Sequence, residues 1–242
     1  MIRSLGVIVP AHDEQDLLPA CLASVRRAAQ ALRGVPVHVV VVADACRDRT
    51  VRVAGRGGAS VVSIDARSAG AARAAGAREV LRRTGQLDPA NVWLATTDAD
   101  TLVPARWLRQ QVRHASQGWD AIVGTIQVAD WSGYPPGTRS LFRERYEGVE
   151  SVGGVEGVEG GAGQHGHVHG ANLGFRASAY LRAGGFPELP TAEDHALVAA
   201  LTAGGSRVLR TRGLPVITSA RRESRAPQGF SHYLAQLEAT PA

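Results

Sequence analysis

The chain has 242 residues, 44% of them apolar, which is ample for one large α/β domain or one domain with a smaller lobe. No apolar run approaches the roughly 20 residues of a membrane span. The only two cysteines, Cys21 and Cys46, form neither a disulfide framework nor a metal-spaced cluster, so a reducing, cytoplasmic setting is expected. The net charge is +5 and all 27 basic residues are Arg, a side chain suited to bidentate recognition of phosphate and carboxylate. No basic run is interleaved with aromatics and no DNA-binding motif is present, so no nucleic-acid partner is expected.

Residues 6–10 form a β-branched run that reads as the first strand; the start is too short and too early broken for a signal peptide. Pro10, Ala11, His12, Asp13 and Glu14 then turn into a helix, in which Leu17, Leu18, Cys21, Leu22, Val25 and Leu32 recur at helical spacing until Gly34. Residues 37–42 are almost wholly apolar, the pattern of a parallel strand buried on both faces, and the run stops at Ala43 and Asp44. Asp48 suits the cap of a second helix. Residues 60–64 read as a third strand and 69–83 as an alanine-rich helix carrying Arg73. A fourth strand, 91–95, ends at Asp98 and Asp100.

This alternation predicts right-handed crossovers and a parallel sheet with helices on both faces. Asp13 with Glu14, Asp44, and Asp98 with Asp100 all fall just after strands, at the edge where open α/β sheets bind ligands. Two carboxylates spaced i, i+2 repel unless a cation lies between them. The guest that fits is Mg²⁺ or Mn²⁺ carrying a substrate phosphate. Capping of turns and helices is the plainer use for such acids.

The second half is less regular. Residues 104–117 read as a helix, 120–128 as a strand and 139–150 as a charged helix. The glycine-rich stretch 153–166 cannot bury a core and is expected to be flexible, as a linker or as a lid over a site. It leads into 167–176, which has the look of a strand lined with polar contacts. A zinc site at His165, His167 and His169 is not expected without Cys or a third spaced ligand. His169, beside Gly170, Ala171 and Asn172, is expected to line a substrate pocket. Residues 177–183 form a short helix, Glu193 and Asp194 open another before residues 196–201, and 207–210 and 214–218 read as strands. Arg221, Arg222 and Arg225 make a cationic loop, and 230–238 a closing helix. Trp93 and Trp119 read as core, and Trp131 as a platform for an acceptor.

Taken together, Val9-Pro10-Ala11-His12-Asp13-Glu14, Asp44-Ala45-Cys46-Arg47-Asp48-Arg49-Thr50, Gly70-Ala71-Ala72-Arg73, Asp98-Ala99-Asp100, Gly170-Ala171-Asn172, Gly184-Gly185-Phe186 and Glu193-Asp194 stand in a familiar order. In that order the chain resembles the glycosyltransferase family 2 enzymes over nearly its whole length. The resemblance implies a single GT-A domain over 1–242: a Rossmann-like, mostly parallel sheet flanked by helices, with a nucleotide-sugar half (1–103) and a smaller acceptor-binding half (104–242). It implies inverting transfer of a sugar from a nucleotide-diphosphate-sugar to an acceptor hydroxyl.

By position, Asp100 resembles the metal ligand of the Asp-x-Asp motif and Asp98 the ribose or metal-water partner. Asp44 resembles the nucleobase contact; many members carry a second Asp where Ala43 stands. Pro10, Ala11 and Glu14 resemble the loop against base and ribose, and Arg73 the cation near base and diphosphate. Asp194 resembles the catalytic base and Glu193 its neighbour in the acidic motif. His169, Gly170 and Asn172 would line the sugar or acceptor pocket. Apart from the resemblance, Arg's fit to phosphate lets Arg221, Arg222 and Arg225 close over the diphosphate, the plainer reading being a solvated surface loop. The acceptor is expected to be a soluble small molecule or glycan. A nucleotidyltransferase would need a basic, glycine-rich phosphate loop after the first strand, which residues 10–14 are not, and an oxidoreductase a G-x-G-x-x-G. A non-catalytic sugar-nucleotide-binding module is disfavoured by Asp98, Asp100 and Asp194 all being in place.

Overall fold

The computed structural model describes residues 1–147, 165–189, 191–222 and 230–238. The first half runs β1 (Ser4–Ala11), α1 (Leu18–Ala31), β2 (Val37–Asp44), α2 (Thr50–Arg56), β3 (Ser60–Ile64), α3 (Ala69–Arg83) and β4 (Val92–Thr96). The second half runs β5 (Thr101–Leu102), α4 (Trp107–Ser116), β6 (Ala121–Val128), α5 (Thr138–Phe142), β7 (Leu173–Arg176), α6 (Ala177–Arg182), α7 (Glu193–Ala203), β8 (Val208–Thr218) and α8 (Phe230–Glu238). The strands form one sheet in the order β3-β2-β1-β4-β7-β6-β8-β5. β1 to β4 are parallel, as the alternation predicts; β7 then enters antiparallel between β4 and β6.

Strand alternation divides the core into two layers. Leu5, Val7 and Val9 of β1 and Val41 of β2 pack toward α1 and α2, while Ile8, Val40 and Val42 pack toward α3, α6 and α7. The alanine-rich sequence of α3 allows that helix to lie close on the sheet. A Cβ at Gly76 would collide with Ile8, and one at Gly6 with the Val80 side chain.

Pro10 sits in a central strand, where a missing N–H would ordinarily cost a ladder bond. Thr97 N–H donates to the Ile8 carbonyl at 3.2 Å, so Ile8 and Pro10 both face β4. The β1–β4 pairing ends at Ile8 and Thr96, two residues before Pro10, the next to face β4. The strands part there and leave a crevice at the carboxyl edge of the sheet.

Several boundaries differ from the sequence expectation. The charged helix begins as α5 and passes into a π-type turn over Arg143–Glu147; its remainder, and residues 153–164 of the glycine-rich stretch, lie outside the described residues, as does Arg225. The polar strand is ordered as β7 only from Leu173; Gly170–Asn172 is a 3₁₀ turn, because the Asn172 side chain is drawn into the core. The two short strands near the C-terminus are one, β8, whose pairing with β6 shifts register between Gly124 and Ile126. β5, two residues long, carries no alternation to read. Among the described residues no helix is long and apolar enough to cross a membrane.

Gly6→Ala is expected to push α3 off β1 and destabilise the fold by about 1–3 kcal/mol, the usual range for overpacking. A lowered urea midpoint at unchanged m-value checks this.

Candidate functional site

The crevice is built by loops at the carboxyl ends of β1, β2, β3 and β4. The first two loops are laced together. Asp13, with φ +52°, accepts from Arg47 N–H at 2.7 Å and Asp48 N–H at 3.2 Å, and its own N–H reaches Cys46 Sγ at 3.4 Å. Asp48 accepts from Gln15 N–H at 3.0 Å, and Glu14 N–H donates to Thr50 Oγ1 at 2.8 Å. Asp13, Cys46 and Asp48 bring ligand-type atoms within 4.8 Å of one another. Both carboxylates are already taken up by backbone donors, so this trio is a brace between loops.

Asp44 ends β2 and braces the next loop. Its Oδ1 accepts from Ala66 and Arg67 N–H at 2.7 and 2.8 Å, and its Oδ2 from Ser68 N–H at 2.7 Å. Three charge-assisted bonds hold Arg67 at φ +50° and set Ser68, whose hydroxyl accepts from Ala71 N–H, as the cap of α3. An open cleft of about 310 Å³ lies beside this loop, with Ala43, Cys46, Ser63, Asp65 and Arg67 among its lining.

One turn into α3, Arg73 is 5% exposed. Its guanidinium donates to Asp98 Oδ1 at 2.7 Å and to Glu193 Oε1. Burial alone would lower the Arg73 pKa; the Asp98 and Glu193 charges outweigh it and hold the group above its ordinary value. The guanidinium lies against Gly170, where a Cβ would strike it, and Glu193 packs beside Gly70 in the same manner. Gly170 in turn donates its N–H to Asp194 Oδ2 at 2.8 Å, and its carbonyl accepts from Thr96 Oγ1 at 2.6 Å. Asp194 Oδ1 accepts from His195 N–H at 2.8 Å, within the first turn of α7. Ala192, just before that turn, is held at φ +61°, a conformation an L-residue with a Cβ adopts at a cost.

Asp98 and Asp100 lie in the turn from β4 to β5. Cys21 Sγ donates to the Asp98 carbonyl at 3.3 Å, and Thr101 N–H closes the turn to it at 3.1 Å. Asp100 Oδ1 receives the hydroxyls of Thr101 and Thr218 at 3.3 and 3.5 Å, and its Oδ2 pairs with Arg221 at 3.1 Å. The other arm of Arg221 reaches Glu14 Oε1 at 2.6 Å. Burial pushes Asp100 up to about 6; Arg221 opposes this, and the nearby Asp98 and Glu14 charges add to it. Asp98, Asp100 and Glu14 offer carboxylate oxygens of the kind a hard divalent cation takes, though among the described residues only Asp13, Cys46 and Asp48 draw three ligand atoms within 4.8 Å of one another.

The structure gives several residues other partners than the resemblance implies. Asp44 bonds the 66–68 backbone and Arg73 two carboxylates. Asn172 is 1% exposed: its Nδ2 donates to the Thr125 and Leu214 carbonyls at 2.8 and 2.7 Å, and its Oδ1 accepts from Trp107 Nε1 at 2.9 Å. It locks β6, β8 and α4 together and does not face a substrate hydroxyl. Arg222 pairs with Glu238 and lies 5.1 Å over the Tyr134 ring. Trp131 packs on Tyr134 and Phe142. Glu14, expected beside base and ribose, is 5% exposed on Arg221. Pro10 and Ala11 stand where the crevice opens. The Glu14–Arg221–Asp100 bridge was not legible, since more than 200 residues separate Glu14 from Arg221.

His165, His167 and His169 form a column of near-parallel rings, successive centroids 6.0 Å apart, with Tyr146 stacked on His167 at 3.9 Å. Stacked rings do not converge on one ion. His165 Nδ1 and His169 Nε2 are buried without hydrogen-bond partners. Burial lowers His165 to about 4 and His169 to about 3. His169 ends the column, its ring edge-on to Phe230 at 6.2 Å.

Asn172→Leu is expected to cost on the order of 3 kcal/mol, since buried carbonyls and an indole N–H lose partners; denaturant unfolding measures it. The histidines give a signed pH dependence. Between pH 6.5 and about 4, the unfolded chain takes up protons that the folded chain refuses, so stability falls as pH falls, by about 1.4 kcal/mol per unit for each histidine. His169→Phe is expected to flatten that slope by one histidine's share between pH 6.5 and 5. Equal slopes in the variant and the parent would contradict this.

The family model for glycosyl transferase family 2 matches residues 6–182. No curated protein matches the chain. Among solved structures, S. aureus TarS 1–349 in complex with UDP-GlcNAc aligns with a TM-score of 0.63 at 15% identity, over 98% of this chain and 65% of that one. The mannosyltransferase PcManGT from Pyrobaculum calidifontis, in complex with GDP-Man and Mn²⁺, aligns at 0.60 and 19% identity, over 97% and 68%. Glucosyl-3-phosphoglycerate synthase from Mycobacterium tuberculosis, in complex with Mn²⁺, UDP and glucosyl-3-phosphoglycerate, aligns at 0.52 and 15%, over 98% and 76%. The chain thus spans less than two thirds of TarS 1–349. At these identities the structures share the GT-A fold, and the match across most of the motifs, from the β1 loop through Gly170 and Asn172, makes the chain a member of glycosyl transferase family 2.

Proposed function

We propose that the protein transfers a sugar, with inversion, from a nucleotide-diphosphate-sugar to a hydroxyl of a soluble small-molecule or glycan acceptor. The observation that carries this reading is Arg73, bonded at once to Asp98 of the Asp-x-Asp turn and to Glu193, the neighbour of Asp194. One side chain ties the cation-holding edge to the base-bearing helix. The ligands named for the aligned structures, UDP-GlcNAc and GDP-Man with Mn²⁺, support a nucleotide-sugar donor and a divalent ion here.

Asp98 and Asp100 would hold Mg²⁺ or Mn²⁺, which would supply positive charge for the departing diphosphate. Asp194 takes the proton of the acceptor hydroxyl as its oxygen bonds to the anomeric carbon and the bond to the phosphate oxygen breaks. The two amide bonds on Asp194, from Gly170 and His195, fix the direction in which it accepts that proton. The nucleobase is proposed to lie in the cleft lined by Ala43, Cys46, Asp65 and Arg67, with Pro10 and Ala11 contributing from the neighbouring strand β1. Residues 1–103 hold the donor in this reading and 104–242 the acceptor, in one domain. The free thiols Cys21 and Cys46 support a cytoplasmic setting.

Transfer is tested by offering UDP-, GDP- and dTDP-sugars with Mn²⁺ and following nucleoside diphosphate release. Asp194→Asn is expected to keep donor binding and lose transfer by about 10²- to 10⁴-fold, the usual contribution of a general base. Asp100→Ala is expected to lose the Mn²⁺-dependent part of donor affinity. Full turnover by Asp194→Asn would give the proton to another residue.

A further inference from the structure

Arg221 occupies a position that neither the motifs nor the fold requires. β5 pairs antiparallel with the end of β8, Thr101 opposite Thr218, and the two hydroxyls meet at 3.0 Å. That pairing delivers Arg221, three residues on, to the mouth of the crevice. There it spans Asp100 and Glu14 at 3.1 and 2.6 Å and keeps a quarter of its side chain in solvent. Among the described residues, five carboxylates (Glu14, Asp98, Asp100, Glu193 and Asp194) face the guanidiniums of Arg73 and Arg221. Arg73 is buried and fixed by two of them. Arg221 is the one of this pair of cations that can leave, because its head is partly solvated and its long stem swings.

We propose that Arg221 is the resident counter-cation of the Asp100–Glu14 pair. A divalent ion bound at Asp100 displaces it and frees its guanidinium for the donor's diphosphate. The inference rests on the metal-assisted reading above and goes beyond it. One oxygen, Asp100 Oδ2, cannot serve Arg221 and a closely bound metal fully at once. Arg221 therefore opposes metal entry and, once displaced, favours phosphate.

The test measures two affinities without turnover. Mn²⁺ alone is titrated into the full chain by calorimetry; UDP and GDP are then titrated in turn at saturating Mn²⁺. Arg221→Gln is expected to bind Mn²⁺ on the order of tenfold more tightly, the equivalent of one charge-assisted bond no longer competing, and the nucleotide about tenfold more weakly. Arg221→Lys, which keeps a cation, is expected to stay close to the parent in Mn²⁺ affinity, and far-ultraviolet circular dichroism confirms that both variants are folded. Opposite signs for metal and nucleotide are the signature, since a purely structural arginine would weaken both. Equal or weaker Mn²⁺ binding by Arg221→Gln, with nucleotide still bound by the parent, overturns the proposal and leaves the transferase reading standing. Failure of the parent to bind UDP, GDP and, titrated in the same way, dTDP overturns the transferase reading itself.

Discussion

A guanidinium sealed under a glycine organises this site. Removing a charge from water is expensive, and it is tolerated here because Arg73 has a carboxylate on each arm. The arrangement is demanding on its neighbours. Gly170 must lack a Cβ, Glu193 must be the first residue of α7, and Asp98 must turn back from the end of β4. Asp44 contributes at one remove: by bonding three successive amides it sets the cap of α3, and the cap sets how far along the helix Arg73 falls. Each link is short and polar, so a fault at any of them leaves a buried charge with one partner fewer.

The same crevice carries an excess of negative charge, and its neighbours register it. Burial, with Asp100 and Asp98 adding to it, pushes the Cys21 thiol up, and Asp98 and Glu14 help to raise Asp100. A low-dielectric cleft with one sign of charge attracts the opposite sign. Glycosyl transfer from a diphosphate requires that attraction, because a bare diphosphate would be repelled by these acids.

Much of the first half was legible because it obeys local rules. The bounds of β3 and α3 agree with the sequence expectation to the residue: β3 is a short, half-buried edge strand rich in β-branched residues, and α3 an alanine-rich helix that starts at the Ser68 cap. The acids after strands were legible for a topological reason: a parallel sheet sends every strand's carboxyl end to one rim. What those acids bond to was not legible. Asp44 and Asn172 look like ligand contacts in a linear motif, yet one braces a loop and the other knits two strands to a helix. Their partners, Ala66 to Ser68 and Thr125, Leu214 and Trp107, offer backbone amides, backbone carbonyls and one indole, which leave no pattern in the sequence. The antiparallel entry of β7 was hidden likewise, because the helical and strand periods say nothing of which neighbour a strand will choose.

The two acids to which the proposed function gives the chemistry are held in different ways, and the difference suits the roles proposed for them. Asp194 is gripped by backbone: the Gly170 amide and the amide that follows it in α7. Neither moves without moving an element, so in the proposed reaction the direction of proton acceptance would be fixed before an acceptor arrives. Asp100 is gripped by two hydroxyls and the end of a flexible arginine, all of which can rotate. A base has to be aimed, whereas a cation site has to exchange its occupant in each binding cycle. Rigid support falls on the first and adjustable support on the second, and Arg73 bonds the chain neighbours of the first and of the Asp100 turn, Glu193 and Asp98.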